Sequence, residues 1–424
     1  MRSLFTDFEP KKILTPKSAA EVQEIIRKAN KDKTPLVPTS SGTNMQDTHL
    51  PSVKNAVALD LSGLKGVYFD SLNRNVVIEP GVTFADIKKT CKKSGLRALT
   101  AIDVPETGSI LSSYLEMMPL YAWPKYHPWE MLTMEGYRAD GERFATGQMA
   151  MKQDRLDKYS WGASFAQVAR LYCMAQGTLG VITKVAVTLK TAMAKAEVLF
   201  YGCRNSKQAT AALKAFQTTE EPHEIFAVNK TYLSELLGAS SKDMAPWTVV
   251  IVNRGKDRAE IDFKRKDAQA VARVLGGRLA AGIKGAAGAA DTVLAEIANP
   301  NGAALHAAKR AWAPVVTIAT AKQVEACSGL IPKSSGQILM PLQAGGCFYW
   351  QPDLRYRESE IDRTRKLYIG ICSKMIRAGV LFPRPSALIA DMVAKQYADN
   401  FKVLRSIKNA VDPKNIMNPG KLGL

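Results

Sequence analysis

The first third of the chain mixes short apolar runs with amphipathic ones. Residues 18–31 (SAAEVQEIIRKANK) set Val22, Ile25, Ile26 and Ala29 at a helical period. Ser18, with Glu21 three residues on, fits a capping box at the start of that helix. LVP at 36–38, AVALDLS at 56–62 and NVVIEPG at 75–81 are apolar or alternating runs, which predicts three strands, the last closed by Pro80-Gly81. Thr83 to Ser94 reads as a helix stopped by Gly95. Between the first two strands lies TSSGTNMQDTHLP, a run of small polar residues. This order belongs to an α+β unit that holds something in its turns.

Further along, 105–147 predicts little regular structure beyond a strand-like LTMEGYRADGERFATG, in which Ala139-Asp140-Gly141 reads as a hairpin turn. Ser164 to Ala175 reads as a helix, and GTLGVITKVAVTLK (177–190) as a glycine turn entering a β-branched strand. Composition shifts at 191–196. Beyond it, EVLFYGC, a helix at 206–216, EIFAVN, a helix from Tyr232, WTVVIVN and a charged helix at 257–274 give the β-α-β-α-β-α rhythm of a ferredoxin-like unit. The alanine- and glycine-rich 277–312 reads as a helix pair, and ILMPL (338–342) and GCFYWQP (346–352) as further strands of one sheet. Two long helices, 359–378 and 387–410, precede VDPKNIMNPGKLGL. The predicted division is 1–194, 195–375 and 376–424.

Composition narrows the class. At 424 residues, 46% hydrophobic and 23% charged, the chain is expected to be a globular protein of two or three domains. No uninterrupted apolar run of about 18 residues is present, so no transmembrane segment is expected. The opening MRSLFTDFEPKK lacks a signal-like apolar core, which points to the cytoplasm. Six cysteines lie far apart without a CxxC pair, and four histidines show no HxH or HxxxH spacing. That pattern predicts no metal centre and no iron–sulfur cluster. The net charge of +19 is dispersed and not interleaved with aromatics. Nucleic acid is therefore not expected, whereas an acidic partner or peripheral contact with a membrane surface is compatible.

The small-residue turns carry the candidate chemistry. In Thr39–Thr48 (TSSGTNMQDT), hydroxyls and approachable backbone N–H groups suit a pyrophosphate. The segment matches neither GxxxxGK[ST] nor GxGxxG, which speaks against a nucleotide kinase and a Rossmann dehydrogenase. TGSILSS (107–113), GTLGVIT (177–183) and NPGK (418–421) are three more such segments.

The order and spacing of PLVPTSSGTN, NVVIEPGVTFADI, TGSILSS, GTLGVITKVAVTL and AVDPKNIMNPGKLG, spread over residues 35–423, resembles the vanillyl-alcohol oxidase/p-cresol methylhydroxylase flavoproteins, a group that includes the FAD subunits of glycolate oxidase and D-lactate dehydrogenase. The resemblance implies an FAD-binding domain of two α+β subdomains over 1–194. A ferredoxin-like α/β cap over 195–375 would supply the substrate pocket, and a helical segment, 376–424, would return to the FAD domain. Thr39, Ser40, Ser41, Gly42, Thr43 and Asn44 would hold the pyrophosphate. Thr107, Gly108, Ser109, Ser112 and Ser113 would line the ribityl and phosphate region. Gly177 opens the turn whose Gly180, Val181 and Ile182 would meet the adenine end, and Asn418 and Lys421 would close over the cofactor. With no histidine inside the first turn, and His49 just beyond it, the FAD is expected to be non-covalent.

Two departures weaken any transfer of mechanism. Aromatic-alcohol oxidases of this group carry Asp-His where this chain has Tyr126-His127, and its hydroxy-acid dehydrogenases carry HxGDGNxH where this chain has GGCFYWQP. The expected activity is removal of a hydride from a hydroxy acid or other alcohol, with electrons passing to an iron–sulfur or cytochrome partner subunit. Candidate catalytic residues are His127, Tyr126, Tyr349 on a cap strand, and Arg384 in LFPRPS, suited to clamp a carboxylate. The alternatives are an FAD-carrying electron-transfer subunit, or oxidation of an aromatic substrate. A flavin reductase using NAD(P)H is a weaker possibility, with no dinucleotide fingerprint behind it.

Overall fold

A computed structural model describes residues 3–42, 46–121, 131–151, 167–219, 222–300, 311–342 and 346–424. Its first layer is a parallel three-stranded sheet of β1 (Lys12–Leu14), β2 (Leu36–Thr39) and β3 (Val57–Asp60), with β3 in the centre. Parallel neighbours need a crossover. Helix α1 (Ala19–Asp32) provides the one from β1 to β2 and buries Val22, Ile26 and Ala29. Ser18 caps it by accepting from the Glu21 N–H at 3.2 Å. The Glu21 carboxylate accepts from the N–H of Lys17 at 2.9 Å, one residue earlier than a capping box requires.

The second subdomain pairs β4 (Val67–Asp70), β5 (Asn75–Ile78), β7 (Met131–Tyr137), β8 (Arg143–Ala145) and β9 (Val181–Thr188) in the antiparallel order β4-β5-β9-β7-β8. Helix α2 (Phe84–Cys91) packs below it through Phe84, Ile87 and Cys91. A short α3 (Ile110–Leu115), capped by Ser109, lies where the sequence predicted irregular chain. Six residues are too few to display a helical period. Of the helix expected at 164–175, the described part is the single turn α4 (Ala169–Tyr172).

The cap sheet runs β11-β13-β12-β16-β17-β14. Here β11 (Lys195–Cys203) and β12 (Glu224–Asn229) both lie antiparallel to β13 (Trp247–Gly255) between them. With α5 (Ser206–Gln217) as the crossover, this is the split β-α-β unit of ferredoxin-like folds. The remaining strands are β14 (Ala311–Pro314), β15 (Thr317–Ala319), β16 (Gln337–Leu342) and β17 (Cys347–Tyr356). In the expected helix pair, 277–288 is instead loop and bridge, because its glycines interrupt any run. Ala289–Ala298 is helical, residues 301–310, where a second helix was expected, lie outside the described residues, and Ala311 and Trp312, expected in that helix, instead begin strand β14.

The final long helix of the sequence reading is two, Ala390–Gln396 and Ala398–Val411, parted at Tyr397 with φ −113° and ψ 44°. The chain then returns to β2. The Leu36 N–H donates to Ile416 O at 2.7 Å, and the Asn418 N–H donates to Leu36 O at 2.8 Å. Lys408 fixes this return by donating to Thr178 O and Met417 O at 2.8 and 2.9 Å while paired with Asp412 at 2.5 Å.

Charged and polar pairs join the β11–β17 sheet to residues 97–103 of the N-terminal part. Short β6 (Leu96–Arg97) pairs with β10 (Lys190–Thr191), and Arg97 meets the fully buried Glu224 at 2.8 Å. Asp103 accepts from the Tyr232 hydroxyl at 2.8 Å and from Gln351 Nε2 at 3.0 Å.

Candidate active site

Strand β2 ends at Thr39 and delivers the first small-residue turn against the second. Ser40 Oγ and Ser112 Oγ share a hydrogen bond of 2.7 Å, and the Ser109 N–H donates to Ser41 Oγ at 3.1 Å. Gly42 follows with φ +65°, a left-handed conformation that favours glycine. A cavity of about 130 Å³ opens between these turns. Thr39, Ser40, Ser41 and Gly42 line one wall, Ser109, Ser112 and Ser113 another, and Gly177, Gly180, Val181 and Ile182 a third. Segments far apart in the chain are thus brought together around one space. Thr107 and Gly108 stand behind Ser109, and the Gly108 carbonyl accepts from the Phe84 N–H at 3.1 Å instead of facing the cavity.

The C-terminal motif closes the same region. Asn418 donates from Nδ2 to Gln176 O at 2.7 Å. Among the described residues, His49 Nδ1, Gln176 Oε1 and Asn418 Oδ1 are buried without a hydrogen-bond partner. Lys421 is 1% exposed, and burial pushes its pKa down to about 8 against the pull of Asp47. The same lysine and burial hold the pKa of cavity-lining His49 down, with Asp47 opposing them. Serine and threonine hydroxyls and glycine backbone N–H groups are donors for phosphate oxygens, and the orphaned amide oxygens of Gln176 and Asn418 are acceptors for hydroxyl or N–H groups of a polar-tailed cofactor. FAD fits this set.

A second cavity, about 500 Å³, lies where the FAD-side sheet, cap and C-terminal segment meet. Its walls are largely apolar, with Met131, Met340, Leu342 and Phe382 among them. Met118 and Arg384 line both cavities and mark their junction. Arg384 is only 5% exposed. Its guanidinium rests against Met118 Sδ, and no carboxylate lies within 4.0 Å of it among the described residues. Its guanidinium therefore keeps hydrogen-bonding capacity for an anion beside the pull of Glu116.

Two acids went unnoticed in the sequence. Glu116 lines the first cavity, and its carboxylate accepts from the Gln176 N–H at 3.2 Å. Burial lifts its pKa to about 7 against the opposing pull of Arg384 and that N–H. Asp103 is the other, held in the domain seam with φ +56°. Tyr349 stands in the wall of the larger cavity, as does Tyr397. The Tyr349 hydroxyl donates to Gln351 Oε1, and burial pushes its pKa up. Gln351 in turn donates to Asp103 and Asp353, each at 3.0 Å. Tyr126, His127, Thr43 and Asn44 lie outside the described residues.

Comparison with known proteins points to the same cofactor. The FAD binding domain family matches residues 10–114, and the C-terminal domain of the FAD linked oxidases matches residues 390–422. The glycolate oxidase subunit GlcD of Bacillus subtilis is 23% identical over 97% of this chain and 89% of its own length. A crystal structure of p-cresol methylhydroxylase with substrate bound superposes with a TM-score of 0.86 at 16% identity, covering 100% of this chain and 91% of that one. The 4-ethylphenol oxidase of Gulosibacter chungangensis, solved as an isoeugenol complex, gives 0.84 at 18% identity over 100% and 91% of the two chains. At such identities the structures establish the fold, and the two family matches bracket the cradle from both ends of the chain.

Proposed function

We propose that this chain, which matches the FAD binding domain family and the C-terminal domain of the FAD linked oxidases and shares the fold of p-cresol methylhydroxylase, is an FAD-binding oxidoreductase that oxidises the C–H bond beside the hydroxyl of a hydroxy acid or other alcohol and passes the electrons to a partner protein. One observation carries the reading. The cofactor cradle and the apolar cavity share a wall at Met118 and Arg384, so a donor in the larger space lies against whatever the cradle holds.

When bound, FAD supplies a two-electron acceptor for hydride. The chain does the rest. Thr39, Ser40 and Ser41 with Ser109, Ser112 and Ser113 would hold the phosphates and ribityl chain, Gly180 to Ile182 the adenine end, and Asn418 with Lys421 the closing side. Arg384, buried and without a carboxylate of its own among the described residues, would bind the donor's anionic group and orient it. Met340, Leu342 and Phe382 would keep water from the reacting carbon. Tyr349, its proton engaged by Gln351, would serve as a shaped wall.

The absence of histidine between 39 and 48 supports a non-covalent FAD. The +19 charge supports an acidic electron carrier, an iron–sulfur or cytochrome protein, as partner. Among the described residues no helix is long and apolar enough to cross a membrane. The experiment is Arg384→Lys, followed by steady-state kinetics with a dye acceptor. A charged hydrogen-bonded pair contributes roughly 1.5–3 kcal/mol, so KM for an acidic donor should rise about 10- to 150-fold with FAD content unchanged. Unchanged KM would remove Arg384 from donor binding. The second reading, an FAD carrier whose chemistry resides elsewhere, is favoured by the GGCFYWQP segment standing where related hydroxy-acid dehydrogenases bind a metal.

A further inference from the structure

We propose that Glu116 is the base that receives the hydroxyl proton of the donor. The assignment rests on the oxidation reading above and adds to it the proton acceptor that such a reaction requires. Glu116 follows helix α3 directly as its C-cap. It lies seven residues past the N-cap Ser109, or about 10 Å along the helix axis. That displacement carries it from the phosphate-holding turns toward the junction where Met118 and Arg384 face the larger cavity.

Its carboxylate is largely unspent. One oxygen accepts from the Gln176 N–H at 3.2 Å, and no ion pair with Arg384 forms within 4.0 Å although Arg384 is near enough to act on it. Glu116 lines the smaller cavity and Arg384 lines both, without an ion pair between them, so a donor held by its acid at Arg384 would bring its hydroxyl across the junction to reach Glu116. Arg384 would take the acid and Glu116 the O–H.

Among the described residues, the other titratable groups lining the cavities are less suited. The Tyr114 hydroxyl donates to Leu99 O at 2.6 Å, and that of Tyr349 to Gln351. The thiol of Cys173 is pushed up to about 12 by burial and the Glu116 charge. His49 stands at the other end, beside Asp47 and Lys421. Glu116 itself is lifted to about 7 by burial, while Arg384 and the Gln176 N–H restrain the rise. Among the described residues, the charged or titratable groups acting on it are Arg384, from the loop before the C-terminal helices, and Cys173, just after α4.

In the step, the donor O–H bond breaks as an O–H bond forms on Glu116. The electron pair left on oxygen becomes the second bond of the new carbonyl. The hydrogen on carbon would leave with its pair as hydride, for which bound FAD would supply the two-electron acceptor, and Glu116 would later return its proton to solvent. The carboxylate form is the active one, so the rate should rise with pH through about 7 and then level.

The test compares wild-type holoprotein with Glu116→Gln and Glu116→Asp. FAD content, the anaerobic rate of flavin reduction by a panel of 2-hydroxy acids and phenols, and pH-difference infrared spectra of the substrate-free holoproteins are measured. Expected for Glu116→Gln are full FAD content, reduction slower by about 10²- to 10⁴-fold, and loss of the limb near pH 7. Glu116→Asp should keep the limb at a reduced rate. A protonated-carboxyl infrared signal titrating near 7 should be present in wild type and missing in Glu116→Gln. Reduction of Glu116→Gln at the wild-type rate with the same limb overturns the assignment alone, as does loss of FAD from both variants, which would make Glu116 part of the cradle. A wild-type flavin that no donor reduces overturns the oxidation reading itself.

Discussion

Gly42 and Gly180 look equivalent in the sequence, and the fold separates them. A Cβ at Gly42 would meet nothing within 4 Å, whereas one at Gly180 would sit 2.7 Å from the Tyr137 carbonyl oxygen. Gly42→Ala should therefore cost only the left-handed strain of a non-glycine residue, about 1–2 kcal/mol, and keep its flavin. Gly42→Asp, with the same room, should fold and lose FAD, because two like charges at about 4 Å repel by several kcal/mol at an effective dielectric near 20. Flavin absorbance per protein, with thermal unfolding of the apoproteins alongside, checks both. Retained FAD in Gly42→Asp would move the pyrophosphate away from this turn. Gly180→Ala should instead destabilise the protein itself. At this scale the hydroxyl and glycine turns were legible because they are local in sequence. Glu116 was not, since its significance comes from Arg384 and Gln176, residues distant in the chain that only tertiary packing brings to it.

Among the elements, strands were the most legible and short helices the least. Period-two or wholly apolar runs marked β2, β3, β5, β9, β11, β12, β13, β16 and β17 because each buries a face or both, whereas the short β14 and β15 were not predicted. Helix α3 was hidden by its length, and the division of 390–411 at Tyr397 by an unbroken helical composition. The seam between the cap sheet and residues 97–103 was invisible for another reason: it is made of polar pairs. Glu224, with no exposure, holds Arg97 and Arg254 at 2.8 Å each. Glu224→Gln removes the charge that two arginines face and should lower unfolding free energy by about 3 kcal/mol in a urea titration. A change below about 0.5 kcal/mol would mean the seam is held by packing alone.

Next to it, burial and then Lys264, Arg97 and Arg254 push the pKa of His223 down to about 4. Because its ordinary value is 6.5, the folded protein binds fewer protons than the unfolded chain between those limits. Stability should be level above pH 6.5 and fall as pH drops toward 4. His223→Gln should flatten that decline in urea midpoints taken at pH 7 and 4.5. An equal decline in both proteins would assign the acid sensitivity elsewhere.

For the whole molecule, three predicted segments meet at one place: the turns of the first, the sheet of the cap and the last 49 residues all reach the junction at Arg384. A non-covalent cofactor should leave the protein on acid precipitation, with the yellow colour in the supernatant. Colour kept in the pellet would show a covalent bond. Electrons taken from a donor must then leave, and the net charge of +19 suits an acidic carrier whose delivery rate falls as salt is raised. Reduced flavin should accordingly reoxidise faster with an artificial dye than with air. The central claim, that this chain is itself a flavin-dependent dehydrogenase, is tested most directly by anaerobic titration of the purified, FAD-loaded chain with hydroxy acids and phenols while the visible spectrum is followed. Loss of the flavin absorbance with a donor of one of these classes is the expected result, and a flavin that stays oxidised against the whole panel, though dithionite reduces it, would contradict the claim.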